Sequence, residues 1–182
     1  MENIKSMIKE SQEIMAYLGI VEWLNLPDAW ISDGTIRNMI WDRLSNQTTT
    51  EATDIDVVYF DKECKHDDLE IETSLNKTYP DIHWEVRNQA RMHMHNFKDE
   101  APYHDTFDAI SKYPETCTAV AARLHKGTLE VIAPHGIEDL LNFVVAPTPH
   151  FKQNKPYFEI YKKSVLEKKW EKHGPSYRLY HL

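Results

Sequence analysis

The stretch D-I-D-V-V-Y-F-D, residues 54–61, decides how the rest of the chain is read. Ile55–Phe60 is β-branched and aromatic apart from Asp56, which is the composition of a strand. Alternate residues of a strand face the same way, so Asp54 and Asp56 project together. Two like charges about 7 Å apart at their Cα atoms, beside an apolar strand, are costly unless a cation lies between them. Asp61 falls at the odd offset, on the other face, and reads as a turn residue. Alone, a D-x-D is more often a solvated strand end than a metal site, so its neighbours carry the argument.

Upstream, the apolar segment 28–33 runs into Gly34, and Thr35–Leu44 reads as a helix with Ile36, Met39, Ile40 and Leu44 on one face. A glycine before a helix lets backbone N–H groups come close to a phosphate, and the helix N-terminus favours negative charge. Thr35 adds a hydroxyl donor, and Arg37 stands two residues further on, in reach of a phosphate oxygen. Downstream, I-H-W-E-V (82–86) reads as a second strand that carries Glu85 between Trp84 and Val86. A third carboxylate on an adjacent strand completes an oxygen-lined site of the kind that suits Mg²⁺. Three carboxylates are a usual means of holding two such ions about 3.5–4 Å apart for in-line phosphoryl displacement.

Glycine and a small residue opening a helix, then two acids on a strand, then a third acid on a later strand, resembles the DNA-polymerase-beta-like nucleotidyltransferase superfamily. The strings G-T-I-R-N-M-I-W-D (34–42), D-I-D-V-V-Y-F-D (54–61), W-E-V-R-N-Q-A-R-M-H (84–93), Y-P-E-T-C-T-A-V-A-A-R-L (113–124) and A-P-H-G-I-E-D-L-L (133–141) are more closely similar to a bacterial nucleotidyltransferase family of uncharacterised substrate. The likeness spans about residues 28 to 172. It implies the polymerase-beta-like fold, an α+β (α/β) arrangement with a small mixed sheet flanked by helices. It also implies transfer of NMP from an NTP substrate, with two Mg²⁺ ions (Mn²⁺ as the alternative) and release of pyrophosphate. Asp54 and Asp56 would bridge both metals; Glu85 would bind the catalytic metal and help activate the acceptor hydroxyl. Gly34, Thr35, Arg37, Asn88 and Arg91 would contact nucleotide, Arg91 through the triphosphate or the leaving pyrophosphate. A structural ion pair is the competing role for Arg91, and His93 likewise reads as either substrate contact or structure. Two features depart from the superfamily pattern: the turn is Gly-Thr rather than Gly-Gly or Gly-Ser, and the stretch from Gly34 to Asp54 is long, a length absorbed by the polar loop 45–53.

The remaining composition narrows the function classes. The chain has 182 residues and a net charge of -8, so a nonspecific DNA or RNA binder, which rests on a basic surface, is not expected. No apolar run approaches the roughly 18 residues of a membrane span, and the N-terminus lacks a signal-peptide core. Two cysteines without a C-x-x-C pair argue for a reduced, cytoplasmic setting. The expected domain plan is one nucleotidyltransferase domain over 1–182, with an N-terminal helical part (1–27), a core (28–146) and a C-terminal helical tail (147–182). Its elements are helices over 4–18, 35–44, 67–77, 137–145 and 157–172, strands over 55–60 and 82–86, a helical stretch within 88–95, and a hairpin over 118–133. His93 and His95 within Met92–His95 point apart on a helix, so packing and surface roles outweigh a soft-metal site. Lys162, Lys163, Lys168, Lys169 and Lys172 alternate with Glu and read as a solvated helix face. The rival to an enzyme is a noncatalytic nucleotide-sensing or partner-binding module on the same fold; a second rival is metal-dependent phosphate-ester hydrolysis. Acceptor, nucleobase and oligomeric state are not written in the sequence.

Overall fold

The computed structural model describes residues 1–47, 54–168, 170 and 178–179. The expected N-terminal helix is two helices, α1 (Glu2–Glu10) and α2 (Gln12–Leu24). The break falls at Ser11, whose extended backbone ends α1 and whose hydroxyl accepts from the Ile14 amide to cap α2. The chain then runs through β1 (Trp30–Ser32), α3 (Gly34–Ser45), β2 (Ile55–Tyr59), α4 (Asp68–Thr78) and β3 (Trp84–Asn88). A 3-10 turn, Gln89–Met94, follows, then α5 (Thr106–Ser111), β4 (Ala121–His125), β5 (Thr128–Ile132), α6 (Glu138–Leu141) and β6 (Val144–Val145). The chain closes with α7 (Pro149–Gln153), α8 (Lys155–Glu167) and β7 (Arg178–Leu179).

Five strands form one mixed sheet in the order β3-β2-β1-β4-β5, in which β2 and β3 run parallel and the other neighbours antiparallel. The β4-β5 hairpin turns at Lys126 and Gly127, both with positive φ, the pairing a two-residue hairpin loop needs. The strands are two-faced. Ile31, Ile55, Val57, Tyr59, Trp84 and Val86 join Ile4, Ile8, Leu18, Ile36, Ile40 and Trp41 of the helices in the main core. The opposite face has only a small apolar cluster of Trp30, Val58, Ile110, Ala119 and Ala121, with α5 contributing Ile110. That division leaves part of the second face free for polar chemistry.

The expected helix 137–145 stops after one turn. Phe143 takes a left-handed conformation, and Val144–Val145 pairs in parallel with Arg178–Leu179, a partner far along the chain. The last helix begins at Lys155 and ends at Glu167, short of the expected 172. Residues 48–53, where a polar loop is expected, and Lys169 and Lys172 of the expected last helix lie outside the described residues. Among the described residues no helix is long and apolar enough to cross a membrane.

Candidate active site

Ser32, Asp56 and Glu85 stand in register across β1, β2 and β3. Paired residues on neighbouring strands are roughly 5 Å apart and share a face, here the one turned away from the main core. Asp54 lies just before β2, exposed, and its Oδ1 is 2.8 Å from Nδ1 of His83. One donor atom each from Asp54, His83 and Glu85 lies within 4.8 Å of the others. The three expected carboxylates are therefore neighbours: Asp54 and Glu85 share a donor cluster, and Asp56 faces Glu85 across the parallel pair. His83 was missed in sequence although its signal was present, since it sits two residues before Glu85 with the same strand parity.

The charge density has a cost. Burial, then the like charges of Asp33, Glu85 and Asp54, push the Asp56 carboxyl up to about 8, against the opposing pull of Arg37. Asp33 is a further acid that sequence reading passed over. Burial raises its carboxyl too, opposed by Lys168 and Arg37. Asp33 also holds the unusual backbone, with φ 60 and ψ -140, a conformation that costs a non-glycine residue about 1–3 kcal/mol. The positive φ at this turn therefore falls on Asp33 and not on the adjacent Gly34. Gly34 is the first residue of α3, and a Cβ there would stand 3.4 Å from Arg37 Nη2 and 3.6 Å from Asn38 Nδ2, so the fold itself does not demand glycine.

Thr35 and Arg37 turn inward rather than toward a phosphate. The Thr35 hydroxyl donates to the Asp54 carbonyl (3.0 Å) and accepts from the Asp56 amide (3.1 Å), tying the head of α3 to the backbone of both acids. Arg37 is buried: its Nε donates to Asn38 and its Nη1 to Thr118, and its guanidinium lies 4.7 Å from the Trp170 ring. Asn88 is likewise committed. Its Oδ1 accepts from the Asp61 and Ala90 amides and its Nδ2 donates to the Asp61 carbonyl, pinning the turn after β2 to the end of β3. Asp61 holds that turn from the other side, its carboxyl lowered by hydrogen bonds from His66 and from the His66 and Lys65 amides. Arg91 is exposed on the 3-10 turn, and His93 packs edge-on to Tyr103. Lys162 and Lys163 make exposed pairs with Glu159 and Glu167, the solvated face expected of them. Lys168 departs from that pattern: its ammonium lies 2.8 Å from Oε1 of the fully buried Glu115.

A five-stranded mixed sheet flanked by helices, with acids in register on its open face, defines the nucleotidyl-transfer class of α+β protein. The nucleotidyltransferase family model matches residues 19–179, and the chain belongs to that family. It is similar over 100% of its length, at 38% identity and a TM-score of 0.90, to a protein whose NMR structure reveals a CCA-adding enzyme head domain, covering 96% of that chain. The Thermotoga maritima CCA-adding enzyme, solved in complex with tRNA, shares the fold at 13% identity and a TM-score of 0.56; 98% of this chain matches 42% of that one. No curated protein matches the chain in sequence.

Three outcomes follow from this geometry. Thr35→Val deletes the bonds to the Asp54 carbonyl and the Asp56 amide and should lower stability by about 1–3 kcal/mol, whereas Thr35→Ser should stay within about 1 kcal/mol of the native chain; urea denaturation measures both. Asn88→Ala removes three bonds, two to the Asp61 backbone and one to the Ala90 amide, and should cost a similar amount in the same titration. Because the folded chain holds a proton on Asp56 up to about pH 8 that the unfolded chain releases near pH 4, this carboxyl's contribution is full below pH 4 and is lost as pH rises toward 8. In chelator, the Tm difference between the native chain and Asp56→Asn should therefore move in the variant's favour from pH 5 to pH 8; a constant difference would refute the assignment.

Proposed function

We propose that this chain, acting as one nucleotidyltransferase domain over residues 1–182, moves NMP from an NTP to an acceptor and releases pyrophosphate, with Asp54, Asp56 and Glu85 holding divalent cations. The observation that carries this reading is the cluster of Asp54, His83 and Glu85 donor atoms beside the in-register Asp56. Burial first, and then repulsion from Asp33, Glu85 and Asp54, raises Asp56 to about 8, and a divalent cation among these carboxylates relieves that repulsion. Carboxylate oxygens suit Mg²⁺, and the His83 imidazole makes Mn²⁺ the natural alternative. When bound, such ions neutralise triphosphate charge and ease deprotonation of the acceptor.

In this reading the acceptor oxygen forms a bond to Pα as the Pα–O bond to pyrophosphate breaks. Glu85 takes up the acceptor proton. The first turn of α3 at Gly34 offers amides to the phosphates, and Thr35 serves the reaction indirectly by fixing the Asp54 and Asp56 backbone. The reacting atoms belong to the substrates, so the protein's part is positioning and electrostatics. The likeness to a CCA-adding enzyme head domain makes an RNA 3′ hydroxyl the first acceptor to assay, although the net charge of -8 sets no broad RNA-binding surface beside it.

The test is incubation with each α-labelled NTP, Mg²⁺ or Mn²⁺, and either RNA 3′ ends or cell extract. The native chain should yield a nucleotidylated product and pyrophosphate. Asp56→Asn and Glu85→Gln should each lose about 10²-fold or more in turnover. Nucleotide binding without product on any acceptor would replace the enzyme with a nucleotide-sensing module, and hydrolysis without an acceptor would make it a phosphoesterase.

A further inference from the structure

We propose that Lys168 is a triphosphate-binding side chain, aimed at the head of α3 by the buried Glu115; the proposal rests on the reading of the chain as a nucleotidyltransferase acting on an NTP. The backbone leaves α8 at Lys168 with φ -74 and ψ 124, which turns this lysine away from the solvated face that Lys162 and Lys163 occupy. Its ammonium lies 2.8 Å from Oε1 of Glu115, which Ser164 Oγ also approaches at 3.5 Å.

The pair is lopsided. The Glu115 side chain is 0% exposed, and its second oxygen has no hydrogen-bond partner among the described residues. The Lys168 side chain is 39% exposed. A pair built only for stability satisfies both carboxylate oxygens, because a half-paired buried charge repays little of its desolvation. Here the anion is locked inside and the cation faces outward, with two of its three N–H groups beyond the Glu115 bond.

The location is the head of α3. Lys168 and Arg37 flank the Trp170 ring at 5.4 and 4.7 Å, and Arg37 Nη2 lies 3.4 Å from where a Cβ on Gly34 would stand. Both cations pull on the carboxyl of Asp33, the residue just before that helix. The N-cap of α3 makes no side-chain hydrogen bond, so its first amides and its dipole add to the same positive region. Arg37 spends its Nε and Nη1 on Asn38 and Thr118, and among the described residues Lys168 stands beside it as the more exposed cation with N–H groups to offer. A triphosphate gains from it and a monophosphate much less, because the extra charge lies on the β- and γ-phosphates. Glu115 is then a positioning residue that touches no substrate.

The experiment is titration of the full chain, with Mn²⁺, against a nonhydrolysable NTP and the matching NMP. Lys168→Met should weaken NTP binding about 10–100-fold and leave NMP binding nearly unchanged. Lys168→Arg should restore most of the preference. Glu115→Gln, which frees the lysine without removing it, should show a smaller loss with the same NTP-over-NMP signature. Variants that lower Tm yet keep the native NTP-over-NMP ratio would make the pair a structural latch and overturn the proposal. If the native chain binds NTP and forms product while Lys168→Met matches it in both, the Lys168 assignment alone falls. If the native chain binds no NTP, the nucleotidyltransferase reading falls first.

Discussion

The site depends on one hydroxyl. Thr35 Oγ1 receives the Asp56 N–H and donates to the Asp54 carbonyl, so a single side chain fixes both backbone groups around Ile55 at the start of β2. Thr35 belongs to the first turn of α3, the turn that the proposed reading sets against the phosphates. The same bond therefore sets the distance between the helix head and the acids. From Asp56 the sheet register carries that position sideways, to Ser32 on β1 and to Glu85 on β3. A loose contact at Thr35 would shift the acids against the helix head, and positioned electrostatics tolerates little displacement.

A face bearing Asp54, Asp56 and Glu85, with Asp33 just after β1, destabilises the fold through charge crowding. Asp56 reaches about 8 because its charge is desolvated among other negative charges, and Asp33 adds an unfavourable backbone conformation. The opposite face offsets this. Ile31, Ile55, Val57, Trp84 and Val86 on the same three strands are buried in the main core with side chains of the flanking helices. Alternation along a strand makes the two faces inseparable: Asp56 lies between Ile55 and Val57, and Glu85 between Trp84 and Val86, and these buried apolar neighbours anchor them. The functional face is thus held in place by residues one position away, not by its own interactions.

Strand parity and register follow rules with a period of two, and so the acids were legible in sequence; the same parity pointed to His83. Side-chain direction in Thr35, Arg37 and Asn88 was not legible. Each meets partners brought up by distant segments, the β2 backbone, Thr118 and the Asp61 turn, and residue type alone gives no sign of which donors stay free. Lys168 was hidden in a run of alternating Lys and Glu because the helix ends at Glu167 without a glycine or proline to mark it. The short α6 failed for a related reason: Val144–Val145 has an apolar composition that suits either element, and its pairing with Arg178–Leu179 decides the matter. The positive φ fell on Asp33 rather than Gly34 because the chain reverses one residue before the helix begins.

The charge pattern also constrains the order in which a nucleotide and its cations assemble. An NTP carries several negative charges to a face already crowded with carboxylates, and among the described residues Arg37 and Lys168 bring opposite charge to the head of α3. Without cations the acids repel the nucleotide; with them, acids and phosphates attract the same ions. Each therefore raises the affinity of the other, and by linkage the two factors are equal. Under the proposed reading, a nucleotide is held at the helix head by its outer phosphates and drawn over the acids only as far as the cations allow. The reacting phosphate then lies between the two charge regions, where the Thr35 bridge holds helix and strand together.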